Sequence, residues 1–351
     1  MKRRGSARAR WLRVAACAAV GARLLVLPAA RADAAPRAQA AARADSVAIA
    51  DSFAQAAPDT LPGRVNPASW ALDAGLRGPR LIEPSGIAID AFGRFVVSDA
   101  AAHRVLRYDK DGSWLSEEGA LGSDLGQLRR PSAVATLGSL GVAVLDRENR
   151  RVISYDLFGR RIGVLVDLQS KPLLEATGRI DAITLASDRG GALYVADAAR
   201  DRVLVFDFAG RFLRELGGYG TRSGAFQGLG GLATTPRGEL VACERGGRRV
   251  QQLDAGGRVV RSWPLPVSAG RAVLAVAVDD SSRVAVADGA SGGLWVFDRA
   301  GRLWAARHDL AEPRALAFAP DGSLLVAEAA AGRVRRFRLD SAAEPAAPGG
   351  D

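Results

Sequence analysis

Residues 193–210 read LYVADAARDRVLVFDFAG, and the same arrangement recurs along the chain. A typical copy has a short β-branched strand that ends in an acid, and five residues later an arginine followed by an apolar residue. The acids of the six copies are Asp99, Asp146, Asp197, Glu244, Asp288 and Glu328. The arginines are Arg104, Arg151, Arg202, Arg249 and Arg333. The fifth copy departs, because Gly293 stands at its arginine position.

The spacing of these copies indicates a ring of repeated sheets. Successive acids are 47, 51, 47, 44 and 40 residues apart, which suits one propeller blade of four strands. Five copies continue into Asp-x-x-Gly, as at residues 207–210. Aspartate accepts backbone N–H bonds at the start of a turn and glycine supplies the positive φ that ends it, so this motif predicts a hairpin. The sequence therefore predicts an all-β fold, a six-bladed β-propeller of four-stranded blades.

The last copy lacks its outer strand, and an additional strand is predicted before the first copy. The sixth copy ends near Leu339, whereas Trp70-Ala71-Leu72 precedes the first copy in the slot of an outer strand. We therefore expect an N-terminal strand at residues 69–73 to close the ring in the sixth blade. The propeller is assigned to residues 65–340.

Three motifs resemble the NHL-repeat family. Residues 84–90 read PSGIAID, similar to Pro-x-Gly-Ile-Ala-x-Asp of that family, and residues 195–203 read VADAARDRV, similar to its Val-Ala-Asp-x-x-x-x-Arg-Val. The Phe-Asp-x-x-Gly element stands at residues 206–210. The resemblance covers about residues 65–340 and implies a six-bladed propeller. The fifth copy and the sixth, where Arg338 replaces the turn aspartate, depart from the pattern, so we expect less regular blades there.

The formal net charge of +10 is concentrated at the start of the chain. Residues 1–32 carry eight basic residues and no acid, which leaves a net charge of +2 for the rest. Proteins that bind nucleic acid carry a basic footprint on their fold, so we predict no nucleic-acid partner.

The same N-terminal stretch has the features of an export signal. A basic start, an apolar run over residues 14–22 and small-x-small sites near residue 32 predict a signal peptide over residues 1–32. The competing interpretation is a membrane anchor, but Arg23 and Pro28 interrupt the apolar stretch. We expect cleavage, a periplasmic or secreted location and no stable membrane span.

The cysteines and the flanking segments complete this interpretation. Cys17 lies in a lipobox-like stretch, so its lipidation is an alternative to simple cleavage. After cleavage the remaining cysteine, Cys243, has no disulfide partner, and its apolar strand pattern predicts a buried, unreactive thiol. Residues 33–64 predict a low-complexity linker, and residues 341–351 predict a disordered tail.

The axial channel is where propellers usually hold ligands. Its predicted innermost strands are small and apolar: residues 86–90, 133–136, 182–185, 232–235, 276–278 and 316–319. A metal ion needs several converging N or O ligands, but the chain has two histidines, His103 and His308, and two asparagines. The resemblance implies comparison with amidating lyases, which use a histidine-rich metal site, and with lactonase-like propellers, which use inward Glu, Asn and Asp. Neither set maps onto this sequence, so we predict no catalytic residue, no metal and no cofactor.

The acid–arginine pairs have two interpretations. In the simpler one each pair bridges its own loop and is structural, because repeats in register usually serve the fold and exposed ion pairs contribute only ~0–1 kcal/mol. In the other, the pairs form a polar rim for an anionic or carbohydrate ligand. Further arginines in the same loops favour a mildly cationic mouth.

Ring closure brings the first and sixth units together, and with them both histidines. His103 lies in the acid–arginine loop of the first unit, and His308 lies in the connection to the sixth. The candidate binding residues at this mouth are His103, His308, Glu83, Glu312, Arg314, Arg147, Arg200 and Arg245.

A complete repeat without a catalytic set predicts an exported, monomeric, non-enzymatic binding or scaffold module. Its partner would be a protein or a glycan at the mouth loops or blade sides. The alternative is a propeller lyase or lactone hydrolase with a minimal metal site at His103, His308 and Glu83, which would require a Ca²⁺ or Zn²⁺ ion.

Overall fold

The computed structural model describes residues 63–71, 78–138, 140–267 and 274–341. Over these ranges, 24 strands form six four-stranded antiparallel sheets, and one short helix is present. The predicted six-bladed β-propeller is thereby confirmed. The predicted leader at residues 1–32, residues 33–62 of the linker and residues 342–351 of the tail lie outside the described residues.

Each blade is one antiparallel sheet, with its strands in the order inner to outer. Blade 1 contains β2 (Pro84–Ile89), β3 (Phe95–Asp99), β4 (Arg104–Tyr108) and β5 (Trp114–Glu118), and blade 2 contains β6 (Pro131–Thr136), β7 (Gly141–Asp146), β8 (Arg151–Asp156) and β9 (Arg161–Asp167). Blade 3 contains β10 (Ala182–Ser187), β11 (Leu193–Asp197), β12 (Arg202–Phe206) and β13 (Phe212–Gly217), and blade 4 contains β14 (Leu229–Thr234), β15 (Leu240–Glu244), β16 (Arg249–Leu253) and β17 (Val259–Pro264). Blade 5 contains β18 (Leu274–Val278), β19 (Val284–Asp288), β20 (Gly293–Phe297) and β21 (Leu303–Arg307), and blade 6 contains β22 (Pro313–Phe318), β23 (Leu324–Glu328), β24 (Arg333–Ser341) and β1 (Gly63–Ala71).

The first strand of each blade lies at the axis. Strands β2, β6, β10, β14, β18 and β22 contact one another in a closed circle, as the sequence predicts. The helix α1 (Lys171–Thr177) lies in the connection between blades 2 and 3. Among the described residues, no helix has the length and apolar character needed to cross a bilayer.

The N-terminal strand β1 closes the ring by pairing with β24, in agreement with the prediction. It is longer than expected and begins at Gly63 rather than residue 69. The added residues pair with the end of β24, which extends to Ser341. Gly63 pairs with Ser341, and the register shifts between Pro67 and Ala71. The β structure therefore extends two residues before and one residue beyond the predicted bounds of 65–340.

Among the described residues, the core consists of six separate apolar clusters, one between each pair of neighbouring blades. Successive side chains of a strand point to opposite faces, so one strand serves two clusters. In β3, for example, Val97 packs towards blade 6 and Val96 towards blade 2. Each blade is thus held from both sides.

The Asp-x-x-Gly motifs form the predicted hairpin turns. The main-chain carbonyl of Asp207 accepts the N–H of Gly210 at 2.9 Å, and its carboxylate accepts the N–H groups of Ala209 and Arg211 at 3.0 and 2.9 Å. Gly210 has a φ of +78°, a conformation that side chains disfavour. The backbone N–H of Arg211 is the main reason why the pKa of Asp207 lies below its ordinary value of 3.8.

The two units with departures in sequence differ from the others in detail. In blade 5, β18 pairs with β19 without the register shift that occurs in the first strand pair of the other blades, so this pair is more regular than expected. The outer strand pair has a register shift in every blade, and in blade 6 the shift is larger, because the four steps from Pro67 to Ala71 in β1 oppose two steps in β24. Both blades keep four strands, so the departures stay local.

We predict that the closing strand contributes a large part of the stability. A chain that begins at Leu72 loses the β1 pairing and should melt at least about 10 °C below a matched chain that begins at Gly63. This estimate assumes about 1 kcal/mol per lost hydrogen bond and about 2–4 °C per kcal/mol. The exposed edge of β24 should also promote aggregation. Equal melting temperatures in calorimetry would contradict the role assigned to β1.

The turn aspartates should make the fold sensitive to acid. The folded-state pKa of Asp207 is lowered, so its contribution to stability is present above the ordinary value of 3.8 and is lost as the pH falls through the folded value. In urea titrations from about pH 5 to about pH 3, the Asp207→Asn variant should lose less free energy of unfolding than the parent chain. A steeper loss in the variant would refute this.

Candidate functional site

The six acids of the repeat lie at one end of the axial channel and are all fully buried, with 0% exposure. Five of them accept backbone N–H groups from the chain that enters the same blade. Asp197, for example, accepts the N–H of Asp181 at 2.8 Å, and Asp99 accepts those of Ile82 and Glu83 at 3.0 and 2.8 Å. The same contact is made by Asp146, Glu244 and Glu328. The acids therefore fix the entry to each blade.

The arginine five residues after each acid completes the arrangement. The closest N–O distances of the pairs are 3.6 Å for Asp99–Arg104, 2.8 Å for Asp146–Arg151, 2.8 Å for Asp197–Arg202, 2.7 Å for Glu244–Arg249 and 2.5 Å for Glu328–Arg333. Each of these arginines bridges to its own acid, as the simpler interpretation of the sequence expects, but the acids are buried, so the pairs are not the exposed ones that this interpretation assumed.

The arginines also hold the connections between blades. Arg151 donates to three main-chain carbonyls of the segment from blade 1 to blade 2, those of Ser123, Asp124 and Gln127. Arg249 does the same for the segment from blade 3 to blade 4. One buried ion pair thus fastens the loop within a blade and the chain that leads into it.

Blade 5 has the acid but not the arginine, and the structure shows why. A Cβ atom on Gly293 would lie 2.3 Å from the indole of Trp295, which fills the space of a side chain there. Arg245 of blade 4 reaches across instead and pairs with Asp288. Although burial alone would raise the pKa of Asp288, hydrogen bonds from Arg245 and from the N–H of Ala290 keep that pKa below its ordinary value.

Arg245 therefore does not face the solvent as a mouth residue, since it is only 4% exposed. The pairing of Arg245 with Asp288 could not be predicted from the sequence, because the spacing of residues within one repeat does not reveal a contact between two repeats. The missing arginine at Gly293 was the one available signal.

A chain of ion pairs crosses the mouth where the ring closes. Arg130 donates to both carboxylate oxygens of Glu83 at 2.8 Å, Glu83 also contacts Arg314 at 2.5 Å, and Arg314 contacts Glu312 at 2.6 Å. The sequence grouped Glu83, Glu312 and Arg314, and the structure brings them together. Arg130 was missed, although it stands before Pro131 just as Glu83 stands before Pro84. This network joins blades 2, 1 and 6.

The two histidines make separate contacts. The Nδ1 atom of His103 accepts the N–H of Arg130 at 3.0 Å, so it supports the ion-pair chain. His308 packs edge-on against Trp295 of blade 5, with ring centroids 5.6 Å apart. Within the described part of the chain, no group of three or more His, Cys, Asp or Glu is arranged to hold a metal ion.

The remaining mouth candidates are arginines in blades 2 and 3. Arg200 donates to the carbonyl of Thr177, at the end of α1, at 2.7 Å. Arg147 lies 3.5 Å from Asp181 and lines an axial cavity of about 110 Å³. Most residues that line this cavity are small or apolar and come from the inner strands, as the sequence predicts, but Ser85, Ser132, Thr184, Arg147 and Arg314 give it a substantial polar surface.

Cys243 is fully buried in β15 and faces the carbonyl of Gly231. Burial raises the pKa of its thiol to about 12, which keeps it protonated and unreactive near neutral pH. This confirms the predicted inert cysteine.

The chain resembles known proteins in fold over most of its length and in sequence over part of it. No family model matches the chain. Protein brain tumor of Drosophila melanogaster is 28% identical over 148 residues, which is 41% of this chain and 13% of that protein. The chain thus corresponds to a small part of that relative's length.

The similar solved structures include two enzymes. A gluconolactonase from Xanthomonas campestris superposes with a TM-score of 0.57 and 16% identity, over 81% of this chain and 96% of that one. A catalytically inactive virginiamycin B lyase from Staphylococcus aureus, in complex with quinupristin, gives a TM-score of 0.55 and 13% identity, over 81% and 97% of the two chains. At these identities the likeness shows the β-propeller fold alone.

We predict that the inter-blade pair is a major source of stability. Replacing Arg245 with Met leaves Asp288 buried without its cation, which should lower the free energy of unfolding by about 3–5 kcal/mol. Arg258→Met is the matched control, since that arginine is 86% exposed beside Asp254 and its solvated pair should contribute little to stability. Guanidinium titration measures both, and equal effects would contradict the assignment.

Proposed function

We propose that the chain is a non-enzymatic binding module whose partner, a protein or a glycan, docks at the mouth of the propeller where the acid–arginine pairs lie. The proposal is supported by a difference in burial between the acids and the arginines at this mouth. The repeated acids are buried and hold the loops, whereas Arg130 and Arg147 are 41% and 45% exposed. A rigid rim with exposed guanidinium groups suits a partner with acidic or hydroxyl groups.

The resemblance of the repeats to NHL propellers agrees with this proposal. The partial match to Protein brain tumor supports the same relationship over 148 residues. Such a scaffold holds its loops rigidly, so little conformational entropy is lost when a partner binds. We further propose that the module is exported and acts as a monomer.

The second candidate function is that of a lyase or lactone hydrolase. It is favoured by the fold likeness to a gluconolactonase and to virginiamycin B lyase. It needs a site around His103, His308 and Glu83, but His308 packs on Trp295 while Glu83 is engaged by Arg130 and Arg314. These contacts favour binding over catalysis.

The binding proposal can be tested on an array of glycans and acidic peptides. We expect hits for the full chain that are lost in the double variant Arg130→Ser and Arg147→Ser, which removes the two exposed guanidinium groups. The matched control, Arg160→Ser with Arg258→Ser, changes two exposed arginines in the hairpin turns at the other end of the blades and should keep the hits. Hits that survive the first variant would refute docking at this mouth.

A parallel assay addresses the alternative. Gluconolactone and quinupristin should be turned over no faster with the protein than without it. A measurable turnover that disappears in His103→Ala would overturn the non-enzymatic proposal and favour the lyase or lactone hydrolase instead.

A further inference from the structure

A second cavity lies between blades 2 and 3, beside the mouth. It has a volume of about 310 Å³ and is lined by Arg147, Glu148, Arg150, Leu168, Arg179, Ile180, Asp181 and Ala182. Three guanidinium groups and two carboxylates therefore share one small space. Small-molecule pockets are roughly 300–1,000 Å³, so this one suits a ligand about the size of a single ring.

The positive groups of this cavity are only loosely compensated. Arg147 contacts Asp181 at 3.5 Å, and Glu148 lies 3.9 Å from Arg130, which is outside the cavity. Ion pairs elsewhere at the mouth close to 2.5–2.8 Å. The side chains of Arg150 and Arg179 make no hydrogen bond or ion pair with any residue that the structure describes.

Arg150 is also held in an unfavourable backbone conformation. It precedes the repeat arginine Arg151 and has a φ of +50°, in the left-handed region. At the same place blades 5 and 6 have Gly292 and Gly332, for which this conformation carries no steric penalty. His103 and Asp201, at the same place in blades 1 and 3, use their side chains to accept backbone N–H groups of the next blade. An arginine side chain cannot accept a hydrogen bond, so that explanation fails for Arg150 and equally for Arg248, its equivalent in blade 4, but only Arg150 lines the cavity.

The neighbouring axial cavity adds an independent polar group. Arg147 lines both cavities, and Ser132 lines the axial one. The hydroxyl of Ser132 is buried and makes no hydrogen bond in the part of the chain described. The equivalent hydroxyl of Ser85 is satisfied by the carbonyl of Pro131 at 2.7 Å. A buried hydroxyl without a partner points to a polar ligand or water in the axial cavity, which adjoins the cavity between blades 2 and 3 at Arg147.

We propose that the cavity between blades 2 and 3 binds a small carboxylate monoanion through Arg147, Arg150 and Arg179. Guanidinium groups bind carboxylates through paired, charge-assisted hydrogen bonds. Three arginines against two acids leave one formal positive charge, which a monoanion neutralises and a phosphate dianion exceeds. This inference rests on the proposed binding function and names the chemistry of its ligand.

The test is calorimetric titration of the full chain with three matched sugars. Glucuronate should bind saturably, whereas glucose, which lacks the charge, and glucose 6-phosphate, a dianion, should bind far more weakly. Arg150→Gly should lower the affinity for glucuronate by about tenfold or more. The same variant should melt no lower than the parent chain, because glycine relieves the left-handed strain.

Arg248→Gly is the matched control, since Arg248 has the same backbone conformation at the equivalent place in blade 4. It should leave glucuronate affinity unchanged, and Arg179→Ser provides a second variant that should lose affinity. The site is overturned if glucuronate does not bind, if glucose or glucose 6-phosphate binds as tightly, or if Arg150→Gly binds normally. The broader binding proposal would still stand in these cases if the array of glycans and acidic peptides gives hits that depend on the arginines of the mouth.

Discussion

A buried carboxylate at the end of the second strand of each blade is the interaction on which the ring depends. It accepts backbone N–H groups, mostly from the chain that enters the blade, and it is neutralised by an arginine. A buried charge without a partner is costly, so every blade needs the cation as well as the acid. Blade 5 shows how strict this requirement is. Where Trp295 fills the usual space, Arg245 from the neighbouring blade supplies the missing charge.

The architecture could be predicted from the sequence because its determinants are local and repeated. The spacing of the acids, the Asp-x-x-Gly turns and the apolar inner strands each concern residues that are close in the chain. The partners of Arg130 and Arg245 could not be predicted in this way, because they lie in other blades. The length of β1 also escaped prediction, since it depends on how far β24 continues.

The structure separates residues that serve the fold from those that are free to serve function. Side chains in register across the blades, such as Asp197 and Arg202, are buried and engaged in holding loops. Side chains at positions that the repeat does not keep constant, such as Arg150 and Arg179, line a cavity and have no structural partner among the described residues. In a repeat protein the departures from the repeat are therefore the better guide to ligands than the repeat itself.

The pairing of β1 with β24 has a consequence for biosynthesis. The strand made first by the ribosome finds its partner only after the last blade has emerged, more than 250 residues later. Five blades can form during synthesis, but the sixth must wait, and the exposed edge of an early intermediate invites contact with other chains. Completion of this molecule is thus a late event that joins two strands far apart in the chain.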